Sequence, residues 1–166
     1  MAKFNKLLDA KFTPPKRWEL QASLIFDSDI IHEEDYKVLK KVKARVTKAG
    51  KITAFKGFKT DLASVPRIAW SFIAPFDIAR SAVIHDALYA AIREYREENG
   101  YHVGSGGKGE SPESKETSAK AKAIADKIFL EAMLQSEPPI AKWKAYASYY
   151  SVVLFGRWSI IPRETD

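Results

Sequence analysis

His85, Asp86 and Tyr89 are the side chains of this sequence whose types and spacing point most directly to chemistry. His85 and Tyr89 stand at i and i+4, so on a helix they share a face, and Asp86 lies about 100° round the same helix. An unperturbed imidazole titrates at ~6.5 and can take a proton from water near neutral pH. Beside a carboxylate it could polarise a water or hold a metal. The same residues also suit a satisfied, half-buried histidine next to a surface aspartate. Asp126 lies further along, in Ala123-Ile124-Ala125-Asp126-Lys127-Ile128-Phe129. If two alanine-rich helices pack antiparallel, Asp126 can meet His85 and orient the imidazole, as a carboxylate does in hydrolytic triads. The competing reading is an edge charge paired with Lys122 or Lys127.

Just ahead of the His85 segment runs Thr60-Asp61-Leu62-Ala63-Ser64-Val65-Pro66-Arg67. Asp and Ser bond readily to nearby backbone, so Thr60, Asp61, Ser64, Pro66 and Arg67 read first as a structural turn. The functional reading sets Asp61 or Ser64 beside His85. Ser64 lacks the glycines of a nucleophile elbow. His32 and His102 match no zinc spacing. Oxygen donors from Asp61, Asp86 and Asp126 would suit calcium or magnesium better.

The elements that must position these groups change character along the chain. Trp18 to Leu24 alternates apolar and polar, as a half-buried strand does. Residues 27–35 read as an acidic turn. Residues 41–47 alternate again, Ala49-Gly50 makes a turn, and residues 51–55 return, so the first third predicts a small antiparallel sheet. Residues 1–17 read as a basic N-terminal arm. From Asp77, a candidate cap, the period becomes helical as far as Asn99-Gly100. Residues 99–117 read as a Gly/Ser-rich surface loop. A second helix opens at Thr117 or Ser118, and a third runs over residues 140–155, with Gly156 ending it. Residues 157–166 form a tail. The expectation is one α+β domain over residues 18–156, with the sheet first and a bundle of about three helices after it.

Composition narrows the function classes. The chain has 166 residues with 27 Lys plus Arg against 21 Asp plus Glu, a net +6, and no cysteine. Without cysteine there is no disulfide scaffold, thiolate zinc site or cysteine nucleophile. No apolar run reaches the ~18 residues of a membrane span, and the N-terminus shows no signal-peptide core. Between Lys37 and Lys59 every charged residue is basic. Lys41, Lys43 and Arg45 would share one strand face, with Lys48 and Lys51 close by, a ridge suited to an anionic membrane surface. It also suits a solvated edge that resists aggregation. Aromatics do not interleave with the ridge, so nucleic acid is not expected as a specific partner.

Taken together, Gly57 to Arg67, Trp70, Ala82-Val83-Ile84-His85-Asp86-Ala87-Leu88-Tyr89 and Ala125-Asp126-Lys127-Ile128-Phe129 resemble an uncharacterised domain family of bacteriophages, prophages and bacteria. The resemblance spans residues 18–156 and implies a phage or prophage origin, without an activity. More remotely, His85-Asp86-x-x-Tyr89 followed by Asp126 resembles the catalytic helix pair of phospholipase A2, in the layout of parvovirus capsids. That likeness implies His85 as general base for a water, Asp86 as a calcium ligand, and Tyr89 and Asp126 as supports of the histidine. The stretch matching that family's glycine-rich calcium loop, residues 72–76, contains no glycine. The resulting expectation is a phage-type protein with a hydrolase-like site, made in the host cytoplasm. The alternative is a non-catalytic virion or assembly component that contacts other virion proteins.

Overall fold

The computed structural model describes residues 1–14, 17–60 and 78–162. It is α+β, with two three-stranded antiparallel sheets and four helices among the described residues. The first sheet has the order β1-β4-β5, with β1 Lys3–Phe4, β4 Leu24–Asp27 and β5 Lys51–Ala54. The second has the order β2-β3-β6, with β2 Ala10–Thr13, β3 Arg17–Leu20 and β6 Lys59–Thr60. Residues read as a basic arm therefore supply one strand to each sheet, and Ala2 is buried. Charge alone hides this, because an edge strand keeps its lysines in water while its backbone pairs.

The expected hairpin of residues 41–47 with 51–55 is corrected. Residues 33–41 form helix α1 (Glu33–Lys41), and β5 pairs with β4 instead, Phe26 opposite Ile52. Glu33, Glu34 and Asp35 occupy the first turn of α1, and Lys40 and Lys41 the last, a distribution that complements the helix dipole. The helix stops at Val42, where Lys43 takes a left-handed φ of 57°. The Ala44 amide then reaches back to the Leu39 carbonyl and the Lys43 amide to Lys40, a Schellman arrangement. Only the bridge between Val46 and Ile52 remains of the expected strand.

Three helices follow: α2 Ala79–Glu98, α3 Pro112–Leu134 and α4 Lys142–Phe155, with a 3-10 turn at Gly156–Trp158. α2 ends as predicted at Asn99, with Gly100 at φ 92°. A Cβ at Gly100 would stand 2.5 Å from the Gly109 carbonyl oxygen, so the position takes no other residue without a shift of backbone. The loop after it is shorter than its composition predicts, because α3 opens five or six residues earlier than expected. Ser111 caps α3 by accepting from the Ser114 amide, and Pro112 takes the first turn, where a missing N–H costs nothing. The expected cap Asp77 lies outside the described residues.

α2 is buried on two sides. Val83, Ile84, Leu88 and Ile92 join Leu20, Leu24, Phe26 and Ile52 in the core shared with the sheets. Ala82 packs instead with Phe129, Met133, Ala145 and Val152 of α3 and α4. Small residues on the facing stripes, Ala121 and Ala125 among them, let α2 and α3 approach closely enough for short polar side chains to meet.

Candidate functional site

The antiparallel packing of α2 against α3 brings His85 and Asp126 together. His85 Nε2 lies 3.0 Å from Asp126 Oδ1, and the Tyr89 hydroxyl donates to the same oxygen at 2.6 Å. The i, i+4 spacing of His85 and Tyr89 is what lets both reach one carboxylate oxygen. Their rings lie 4.0 Å apart between centroids, and the Phe129 ring also packs on the imidazole at 4.8 Å. The other carboxylate oxygen, Oδ2, accepts from Lys122 Nζ at 2.7 Å. Lys122 also donates to the Val152 carbonyl at 3.1 Å, which ties the network to α4. Asp126 therefore contacts both His85 and Lys122, one on each oxygen, and it is buried rather than an edge charge.

Burial of this group is nearly complete. His85 and Tyr89 are 0% exposed and Asp126 is 2% exposed. Burial pushes the Asp126 carboxyl up, but the hydrogen bond and charge of His85, with Lys122 and Tyr89, outweigh it and hold the pKa below the usual value. The Tyr89 phenol is pushed far above its ordinary value, by burial first and then by the Asp126 charge, so it stays neutral and donates. An ionised carboxylate only accepts, so the proton between the ring and Asp126 sits on Nε2. His85 Nδ1 then points away from Asp126, and it has no hydrogen-bond partner among the described residues.

Asp86, one residue on, faces elsewhere. It is 5% exposed, and its Oδ2 accepts from the Thr60 hydroxyl. Thr60 pairs with Trp18 in the second sheet, so this bond fastens the sheet to α2. Asp61, Ser64, Pro66 and Arg67 lie outside the described residues. Among the described residues no three His, Asp or Glu side chains gather around a point that could hold a metal. Asp86 is engaged by Thr60, and Asp61, its companion in the expected calcium set, is outside the described residues.

The basic ridge is dispersed, which corrects the shared strand face. Lys41 closes α1 and pairs with Glu113 of α3, Lys43 pairs with Glu98 of α2, and the Arg45 guanidinium lies 5.6 Å over the Phe55 ring. Lys51 is on β5, and Lys48 is in the turn before it. Lys41 and Lys43 thus reach across from α1 and its following turn to the helices in solvent-exposed ion pairs.

Two residues of the site were not legible as such. Lys122 carries a signal, its i, i+4 spacing to Asp126 on one helix. Gly156 carries none. A Cβ there would lie 2.6 Å from the Tyr89 hydroxyl and 3.3 Å from Lys122 Cε, so the start of the C-terminal turn must be glycine for the network to close.

No curated protein and no solved structure matches the chain. Residues 36–152, well over half of the chain and including His85, Asp86, Tyr89, Lys122 and Asp126, match the family described as "Protein of unknown function (DUF1353)", and the chain belongs to that family.

Proposed function

We propose that this is a phage-type protein with a hydrolase-like His–Asp site, in which His85 Nδ1 is the general base for a water. The single observation behind this reading is the asymmetry of the imidazole. Nε2 is fixed on an anionic carboxylate that Tyr89 and Lys122 also hold, while buried Nδ1 has no partner among the described residues. Asp126 sets the tautomer and stabilises the imidazolium, and Tyr89 fixes Asp126. In ester hydrolysis of the phospholipase A2 type, at a membrane surface, the water proton moves to Nδ1 as the oxygen adds to the ester carbonyl. The tetrahedral adduct then expels the alcohol, which recovers that proton from Nδ1, leaving a carboxylic acid. The test is fatty-acid release from phospholipid vesicles. His85→Ala is expected to lower turnover by at least about 100-fold with the circular dichroism spectrum retained. Unchanged turnover would sink the reading.

One observation favours a second reading. His85 is fully enclosed and Lys122 saturates Asp126, as in a network that fixes helix packing in a non-catalytic virion component. That reading predicts the protein in purified particles, and an effect of His85→Ala on stability alone. Absence from particles counts against it.

A further inference from the structure

A cleft of about 430 Å³ opens between α3 and the C-terminal turn, on the far side of Lys122 from His85. Its walls include Arg96, Lys115, Ser118, Lys122, Arg157 and Trp158, and among the described residues no Asp or Glu lines it. Two of the four cations are neutralised: Arg96 by Glu110 at 2.8 Å and Lys122 by Asp126 at 2.7 Å. Lys115 and Arg157 form no salt bridge with a described acid, although Lys115 lies close enough to Glu110 for its charge to help lower that carboxyl. Arg157 instead lies 4.2 Å over the ring of Trp158, which also lines the cleft. Lys115, Ser118 and Lys122 follow one another at helical spacing along α3, so they form a single wall. Ser118 in that wall is only 1% exposed, and its hydroxyl has no hydrogen-bond partner among the described residues. A buried hydroxyl without a partner carries a desolvation cost, which a ligand oxygen would relieve once the Ser118 side chain turns into the cleft.

We propose that this cleft binds the phosphate group of an organic phosphate ester. The group carries up to two negative charges to match Lys115 and Arg157, and oxygens to accept from Ser118. The volume exceeds that of a phosphate alone and falls in the range of small-molecule sites. The organic part has an apolar wall to rest on, formed by Trp158, Ile160 and Ile161. Two sources share this chemistry, a soluble phosphate ester and a lipid headgroup. Trp158 continues the exposed face of α4, on which Trp143, Tyr146, Tyr150 and Leu154 recur at i, i+3, i+7 and i+11. Such residues seat readily at the headgroup level of a bilayer. The proposal stands apart from the role of His85, and its test involves no turnover.

The experiment uses the full chain and three variants, Lys115→Ala, Ser118→Ala and Arg157→Ala. Phenyl phosphate is titrated by calorimetry. Flotation is run with phosphatidylcholine vesicles, with and without phosphatidylglycerol. Saturable phenyl phosphate binding that weakens about tenfold or more in Arg157→Ala and Ser118→Ala supports a soluble ester. Binding only to phosphatidylglycerol vesicles, lost in Arg157→Ala and Ser118→Ala, supports a headgroup. Binding of neither probe, or binding unchanged in all three variants, overturns the proposal. Ser118→Ala breaks no hydrogen bond, so its melting temperature should hold or rise, and a lost affinity is not a lost fold.

Discussion

Two polar clusters join α2 to its neighbours, and they differ in one atom. Near the C-terminal end of α2, Arg96 donates from Nε and Nη2 to the two oxygens of Glu110, at 2.9 and 2.8 Å, and from Nη1 to the Ile160 carbonyl at 3.1 Å. Ser114 donates to Glu110 Oε1 at 2.9 Å, and the Arg96 guanidinium lies 4.6 Å over the Tyr101 ring. Each polar group of this cluster has a partner. It is a clamp, closing the loop after α2 and the chain's C-terminal segment onto the helix. Mid-helix, the His85 cluster is likewise buried and tied to three elements, yet His85 Nδ1 is left over among the described residues. A cluster that only holds a fold gains by satisfying its last donor or acceptor. In the proposed function, the nitrogen left without a partner among the described residues is the one that takes the proton.

Substitutions can break this comparison or sharpen it. The largest effect is expected from Asp126→Ala, which leaves His85, Tyr89 and Lys122 facing one another without a carboxylate. A loss of about 3–5 kcal/mol in urea unfolding is expected, as for removal of one partner of a buried ion pair. A loss under about 1 kcal/mol would mean that the network relaxes easily and positions nothing.

Glu110→Gln comes next. It keeps the shape of the clamp but removes the charge, and should cost about 1–3 kcal/mol while leaving any His85-dependent activity unchanged. It also bears on acid stability. Burial pushes the Glu110 carboxyl up, but hydrogen bonds from Arg96 and Ser114 and the Arg96 charge outweigh it and hold the pKa below 4.5. Asp126 is likewise held below 3.8. A depressed carboxylate gives its full stabilisation above its unfolded value, and loses it as pH falls through the folded one. Stability should therefore fall below about pH 4.5, and Glu110→Gln should flatten the upper part of that fall. An unchanged acid profile in thermal melts would show that the clamp contributes no pH dependence.

Gly156→Ala strikes the His85 cluster alone. The new methyl collides with the Tyr89 hydroxyl, so either Tyr89 or Lys122 must leave Asp126. About 1–3 kcal/mol of destabilisation is expected, with turnover reduced if Tyr89 positions Asp126. Full activity in this variant would remove Tyr89 from the site. The smallest effect belongs to Lys41→Ala and Lys43→Ala. Their ion pairs with Glu113 and Glu98 lie in solvent, and neither substitution should move the melting temperature measurably.

Much of the helical half was legible because its signals are local. The apolar stripe from Ala79 to Tyr95, the stop at Asn99-Gly100 and the alanine-rich face around Ala121 and Ala125 depend on residues a few positions apart, and α2 and α3 follow them. Local reading failed where two patterns compete. Residues 41–47 alternate like a strand, but the acidic start and basic end of α1 and the turn at Lys43 take them first. Ser111-Pro112 opens α3 inside a stretch whose glycines read as loop.

The sequence by itself determined the α+β class, the i, i+4 alignment of His85 with Tyr89, and the availability of a carboxylate on the next helix. Those follow from helix geometry, which acts over one or two turns. Tertiary structure alone decided that Asp126 receives His85 and Tyr89 on one oxygen and Lys122 on the other. It also decided that Asp86 turns to Thr60, and that Gly156 must make room for Tyr89. These contacts join residues tens of positions apart, and their distances depend on how closely two helices and a turn pack, which no local pattern records.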